Sequence, residues 1–290
     1  MPAHPIDVVI VTIGSAGDLF PFLRIGTTLR DLGHRVSCIA PWLHQPYVEQ
    51  AGLPFHGVDI DAAVLDDPDL WHPLRGFGVV WRATRPAMAQ VQALAVPLLT
   101  STRSLIIAHP LALPEADLIR AARPGVTIVA GILAPQNLPT VHDPMMAGPR
   151  RVPGWVPQWA RRLLWRGVGT FLLDPVALGG INAARAAQGR APVPGLLQHL
   201  ATAPDLTLLL FPAWFAPPQE IAQPGRQCRA GVGVVQRKIG LQQRPWPVGL
   251  GRRKPRRKQQ HGQVRRAGQM LQQAGYGRQA LRRARGIDTF

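Results

Sequence analysis

From Asp7 to about Phe211, short apolar runs rich in β-branched residues alternate with longer amphipathic stretches. The runs at 7–12, 35–40, 104–108, 126–131 and 206–211 predict strands. The stretches at 19–32, 44–51, 77–99, 113–123, 156–173 and 175–188 predict helices, with Gly33 and Pro124-Gly125 as stop signals. The strand runs VVIV, LIIA, VTIVAG and LTLLLF are apolar throughout rather than at every second position. That pattern belongs to strands covered on both faces, and strands alternating with helices give an α/β parallel sheet. Residues 134–157, APQNLPTVHDPMMAGPRRVPGWVP, are too rich in Pro and Gly for regular structure and are expected to form a long functional loop.

Residues 7–40, DVVIVTIGSAGDLFPFLRIGTTLRDLGHRVSCIA, are the most informative part of this pattern. An apolar run from Asp7 to Thr12 meets the turn Gly14-Ser15-Ala16-Gly17-Asp18, an amphipathic stretch follows, and a second apolar run spans Val36 to Ala40. This is the opening strand–helix–strand unit of a parallel sheet. Asp18 falls among the first residues of the helix, at the carboxyl end of the first strand, where open α/β sheets bind ligands. The turn is neither GxGxxG nor GxxxxGKS/T, so it specifies neither a dinucleotide nor a P-loop nucleotide. Asp18 itself can be read as the helix N-cap or as a carboxylate placed for proton transfer.

Charge changes the picture at one end of the chain. The formal net charge is +17, yet residues 226–290 hold 17 Lys/Arg and a single acid, Asp288, so residues 1–225 are close to neutral. Between Glu220 and Asp288 lie 67 residues without an acid, dominated by Arg, Gln, Gly and Pro. Such a segment cannot bury enough apolar surface to offset its chain entropy. Residues 1–219 are therefore expected to fold and 220–290 to form a basic disordered tail. The tail would make salt-sensitive phosphate contacts. Its only aromatics are Trp246, Tyr276 and Phe290, too few for base stacking, and nucleic acid is not expected as a physiological partner.

Two cysteines, Cys38 and Cys228, give neither a disulfide framework nor metal-ligand spacing, and Cys38 is expected to be buried in a strand. The longest apolar run, Leu206–Ala216, falls short of the roughly 18 residues of a membrane span. The N-terminus lacks the charged-then-apolar pattern of an export signal, which gives a cytoplasmic expectation.

The stretch GSAGDLFPFLRIGTTLRDLGHRVS resembles the opening of GT-B glycosyltransferases that carry a GSxGDxxPxxxLxxxLxxxGHxV signature. That group includes sterol glucosyltransferases, glycopeptide-antibiotic glycosyltransferases and the rhamnosyltransferases of rhamnolipid synthesis. DPDLWHPLRGFGVVWRA at 67–83, RRLLWR at 161–166, INAAR at 181–185 and LFPAWFAPPQ at 210–219 are similar to the last of these, in order. The resemblance implies that residues 1–219 are a Rossmann-like GT-B N-terminal half shaping an acceptor site, with a second half holding the nucleotide-sugar. The implied reaction is inverting transfer of a hexose or a 6-deoxyhexose such as rhamnose, from a donor such as dTDP-rhamnose, to a lipidic hydroxyl. No other cofactor and no metal is implied.

Carried over by that resemblance, Asp18 matches the aspartate proposed as general base. Gly14, Ser15 and Gly17 are acceptor-side candidates. His109, after the strand at 104–108, and His142, beside Asp143 in the 134–157 loop, stand where strand-end loops could line the acceptor pocket. His34, in the GHRV turn, is expected to be structural.

Arg150-Arg151, Trp155, Trp159, Arg161-Arg162, Trp165 and Arg166 form a second constellation. The first expectation is a helix docked on the sheet with a solvated basic side. The alternative is a membrane interface or a lipidic acceptor, with peripheral contact at an inner membrane.

The resemblance ends near Gln219. No HxGxGS/T- or HPGG-like diphosphate site follows, and the only His beyond 199 is His261, in HGQVRR. Arg, Gly, Pro and Ala have GC-only codons, so the segment past 219–226 is expected to come from a frameshifted or degraded gene. Two function classes follow: a glycosyltransferase, or an inactive acceptor-binding domain whose basic tail binds nucleic acid non-specifically.

Overall fold

A computed structural model of the chain describes residues 5–134, 146–147, 150–211 and 228–230. His142 and the bulk of the basic segment lie outside the described residues. In chain order the first elements are β1 (Asp7–Val11), α1 (Ala16–Asp31), β2 (Arg35–Pro41), α2 (Gln45–Gln50) and β3 (Phe55–Val58). Then come α3 (Gly76–Leu98), β4 (Ser104–Ala108), α4 (Leu113–Ala122) and β5 (Val126–Ile132). A two-residue pair, β6 (Met146–Ala147) and β7 (Arg150–Arg151), precedes α5 (Gln158–Gly167) and α6 (Asp174–Ala187). The last described elements are α7 (Leu196–Thr202), β8 (Leu206–Leu209) and β9 (Cys228–Ala230).

The main sheet has the order β3-β2-β1-β4-β5-β8-β9, all parallel. In register, Val8 stands between Val36 and Leu105. The apolar runs divide by alternation between two cores. Val8 and Ile10 face α1, packing with Leu19, Phe22 and Ile107; Val9 and Val11 face the other way, with Trp81, Val91, Ile106 and Ile128. From β1 the chain winds outward through β2 and β3, and from β4 it winds the opposite way through β5 and β8. The order therefore reverses between β1 and β4, which leaves a crevice outside their carboxyl ends.

Buried charges hold the layers in place. The carboxylate of Asp7, at the start of β1, accepts from Arg35 Nε (2.6 Å), the Thr100 and Ser101 amides (2.7 and 2.6 Å) and the Thr100 hydroxyl (2.9 Å). Burial pushes its pKa up, but these donors outweigh it and hold the group well below the usual carboxylate range. Asp117 of α4, also buried, pairs with Arg120, Arg185 and Arg190 and so ties α4 to α6 and the loop after it.

Several elements depart from the sequence expectation. β3 (FHGV) lacks a long β-branched run, and it pairs because β2 offers an open edge. α7 (LLQHLAT) is short and was hidden between Pro194-Gly195 and Pro204. The loop at 134–157 contains the β6–β7 pair, and the basic segment supplies a short parallel strand, β9, beside β8.

The two helices expected at 156–173 and 175–188 are one continuous helix, Gln158–Ala187. Pro175 has no N–H to donate back along it, and a π-helical turn at Val168–Leu173 carries the chain across that position. By length and composition this 30-residue helix is apolar enough to cross a membrane, although no uninterrupted apolar run in it reaches that length. Cys38 is buried as expected, its thiol pushed up to about 12 by burial.

Candidate active site

β1 ends at Val11 and the chain turns at Gly14 into α1, whose N-cap is Ser15. Asp18 is thus not the cap but the third helical residue, closing a capping box. Its Oδ2 accepts from the Ser15 amide (2.8 Å) and the Ser15 hydroxyl (2.9 Å). Its Oδ1 points the other way, 4.0 Å from His109 Nε2, and the side chain remains 32% exposed. One oxygen is held by the turn while the other faces His109. Closing the capping box thus occupies one oxygen of Asp18 and leaves the other outside it.

Gly14 is fixed by that arrangement: a Cβ there would stand 2.5 Å from Asp18 Oδ2. Gly17 is less constrained, since a Cβ would meet only the Ser15 Oγ at 3.5 Å. The structure brings Gly14, Ser15, Gly17, Asp18 and His109 together at the β1–β4 reversal, and it does not describe His142. His34 stands apart: its Nδ1 accepts from the Ile6 amide (3.5 Å), at the opposite end of β1, in keeping with a structural role.

His109 follows β4 and is buried. Its Nδ1 accepts from the Leu111 amide (3.3 Å), so a neutral ring carries its proton on Nε2, facing Asp18. Burial lowers its pKa to about 4 against the opposing pull of the Asp18 charge. The ring is therefore neutral at pH 7, an N–H dipole aimed at a carboxylate. Phe22 of α1 packs edge-on against it, with ring centroids 6.4 Å apart.

Two residues were not singled out from the sequence. His44, at the end of a 3-10 turn after β2, is buried, and its Nε2 donates to the Gly14 carbonyl (2.9 Å). It clamps the turn that carries Asp18. The signal for it was position, because every loop leaving the carboxyl edge next to β1 can reach this crevice. Glu115, in the first turn of α4, has its pKa raised to about 7 by burial. It has no hydrogen-bond or ion-pair partner among the described residues. Those residues also hold no group of three or more His, Cys, Asp or Glu that could bind a metal ion.

A helix-borne carboxylate beside a buried neutral imidazole, at the reversal of a parallel sheet, can take a proton from a hydroxyl entering the crevice. Residues 8–110 match the glycosyltransferase family 28 N-terminal domain. That interval contains β1, α1, Asp18, His44 and His109.

A stretch of 62 residues is 44% identical to O-mycaminosyltylonolide 6-deoxyallosyltransferase of Streptomyces fradiae, covering 21% of this chain and 13% of that protein. Another of 61 residues is 36% identical to a sterol 3-beta-glucosyltransferase of Arabidopsis thaliana, covering 21% of this chain and 10% of that protein. Among solved structures, the glycotransferase of kitacinnamycin superposes with a TM-score of 0.50 at 15% identity, covering 77% of this chain and 50% of that one. The chain thus spans half of that structure's length, and the likeness confirms the Rossmann-like α/β fold.

Proposed function

We propose that this chain provides the acceptor-side half of an inverting glycosyltransferase, with Asp18 as the base. The observation that carries the reading is the split environment of the Asp18 carboxylate. Oδ2 is anchored by Ser15 while Oδ1 faces the neutral His109, on a side chain that stays 32% exposed. In the reaction, the acceptor hydroxyl oxygen bonds to the anomeric carbon of a nucleoside-diphosphate sugar. The carbon–phosphate-oxygen bond breaks and its electron pair leaves with the diphosphate. The hydroxyl proton passes to Asp18 Oδ1 as the attacking oxygen becomes acidic. His109 Nε2–H faces that carboxylate through the transfer and steadies its orientation.

The sugar in this reading is a hexose or 6-deoxyhexose such as rhamnose, and the acceptor a lipidic hydroxyl met at the cytoplasmic side of a membrane. The similarity to a deoxyallosyltransferase and a sterol glucosyltransferase supports a deoxysugar or hexose donor and a large apolar acceptor. The diphosphate-sugar is held by residues beyond this domain.

The test is product analysis with dTDP-rhamnose and UDP-glucose against hydroxylated lipids. A glycosylated lipid with inverted anomeric configuration is expected, and a retained configuration or hydrolysis alone overturns the reading. Because the chain aligns with only half of the solved glycotransferase, a second reading is an acceptor-binding domain without turnover. Calorimetry showing lipid binding with no product under any donor would favour it.

A further inference from the structure

The helix Gln158–Ala187 is built differently along its two parts. α6 is docked on the domain. Ala177 and Ile181 enter the core, Asn182 Nδ2 donates to the Val193 carbonyl and Arg185 pairs with Asp117. α5 and the π-turn meet only part of the first expectation: Arg162 and Arg166 are solvated, but Arg161 is not and the apolar side is not docked. The arginine at 161 is buried, donating to the Gly154 carbonyl (2.7 Å), while Trp159, Leu163, Leu164 and Phe171 face out.

Trp159, Leu163, Gly167 and Phe171 recur every four residues and so form one stripe along the helix. Trp159 is 64% exposed and Phe171 77% exposed, with Trp155 beside them at 83%. Gly167 leaves a depression in the stripe, and a groove of about 560 Å³ runs there between Leu163, Leu164, Val168 and Phe171. Arg162 and Arg166, both exposed, flank the stripe, with no carboxylate partner among the described residues. From residue 144 to 173 the sequence holds five Arg and three Trp and no Asp or Glu.

We propose that this face is a docking surface for an anionic lipid bilayer, lying in the headgroup region rather than spanning it. Trp and Phe enter the acyl boundary, Arg162 and Arg166 meet lipid phosphates, and α6 stays fixed to the domain. The absence of any acid in the segment is what selects an anionic surface over a protein partner with mixed charge. The crossover bearing α5 leaves from the carboxyl edge of β5, and a Cβ on Gly78, near the start of α3, would meet Val176 at 3.8 Å. α5 is therefore carried at the same end of the domain as Asp18. Docking of this face on lipid does not depend on sugar transfer.

The basic tail would draw any version of this chain to anionic vesicles, so the readout must be local. The full chain is mixed with phosphatidylglycerol vesicles brominated on their acyl chains, and tryptophan quenching is measured. Wild type is expected to be quenched, with most of the signal removed by Trp155→Phe with Trp159→Phe, which deletes the reporters. Leu163→Ser with Phe171→Ser keeps the reporters and should lower the partition coefficient read from their quenching about a hundredfold, since each buried apolar side chain is worth roughly tenfold. All four positions are exposed, and thermal melts of both variants should match wild type. Quenching that neither pair of substitutions alters would overturn the proposal. So would a wild-type dimer in sedimentation that Leu163→Ser with Phe171→Ser turns to monomer, because a second copy would then cover the face.

Discussion

Asp18, Gly14, His109 and His44 each have a measurable consequence that follows from one contact. Gly14→Ala places a methyl group 2.5 Å from Asp18 Oδ2. The carboxylate must turn away, so turnover should fall by about tenfold or more while the melting temperature changes little. His44→Ala removes a donor to the Gly14 carbonyl and leaves a cavity, and should cost about 2–3 kcal/mol in chemical denaturation.

His109 holds a pKa of about 4 in the fold against 6.5 in the unfolded chain. Between those values the unfolded state binds more protons, so stability is present above the unfolded pKa and is lost as pH falls. The full shift is worth on the order of 3 kcal/mol, and His109→Gln should flatten that part of the profile between pH 7 and pH 4.5. Of these four residues the sequence pointed to three. The signature turn gave Gly14 and Asp18, and the end of β4 gave His109. His44 escaped because a clamp on a carbonyl leaves no periodic or motif signal.

Helices and strands were legible wherever apolar periodicity was long, as in α1, α3 and β1, and illegible where tertiary partners supply the reason for the element. β3 exists because β2 has an edge to offer, and β9 because β8 does. The helix at 158–187 shows a different limit. Its composition announced an amphipathic element, but which side would face the core depended on Arg161 finding the Gly154 carbonyl.

α4 carries a prediction of its own. Glu115 in its first turn keeps its proton until about pH 7 because burial disfavours the charge. Its folded pKa is raised, so the associated stability is present at low pH and is lost as pH rises from about 4.5 to 7. Glu115→Gln should therefore stabilise the protein at pH 8 by on the order of 1–3 kcal/mol and leave it nearly unchanged at pH 4.5, as read by urea titration at the two pH values.

On the scale of the molecule, the order β3-β2-β1-β4-β5-β8-β9 brings the turn after β1 and the loop after β4 together, although Asp18 and His109 are far apart in sequence. A parallel α/β sheet was evident from the alternation of elements. The position of its reversal was not, because strand order is set by crossover packing rather than by any local pattern.

The proposed role of Asp18 as the base is tested most directly by the turnover of Asp18→Asn beside wild type with a nucleoside-diphosphate sugar and a lipidic hydroxyl. Asparagine keeps the size of the side chain and an acceptor for Ser15. We predict unchanged acceptor affinity and melting temperature, with turnover reduced about 100- to 10,000-fold. Turnover within a few-fold of wild type would contradict the account.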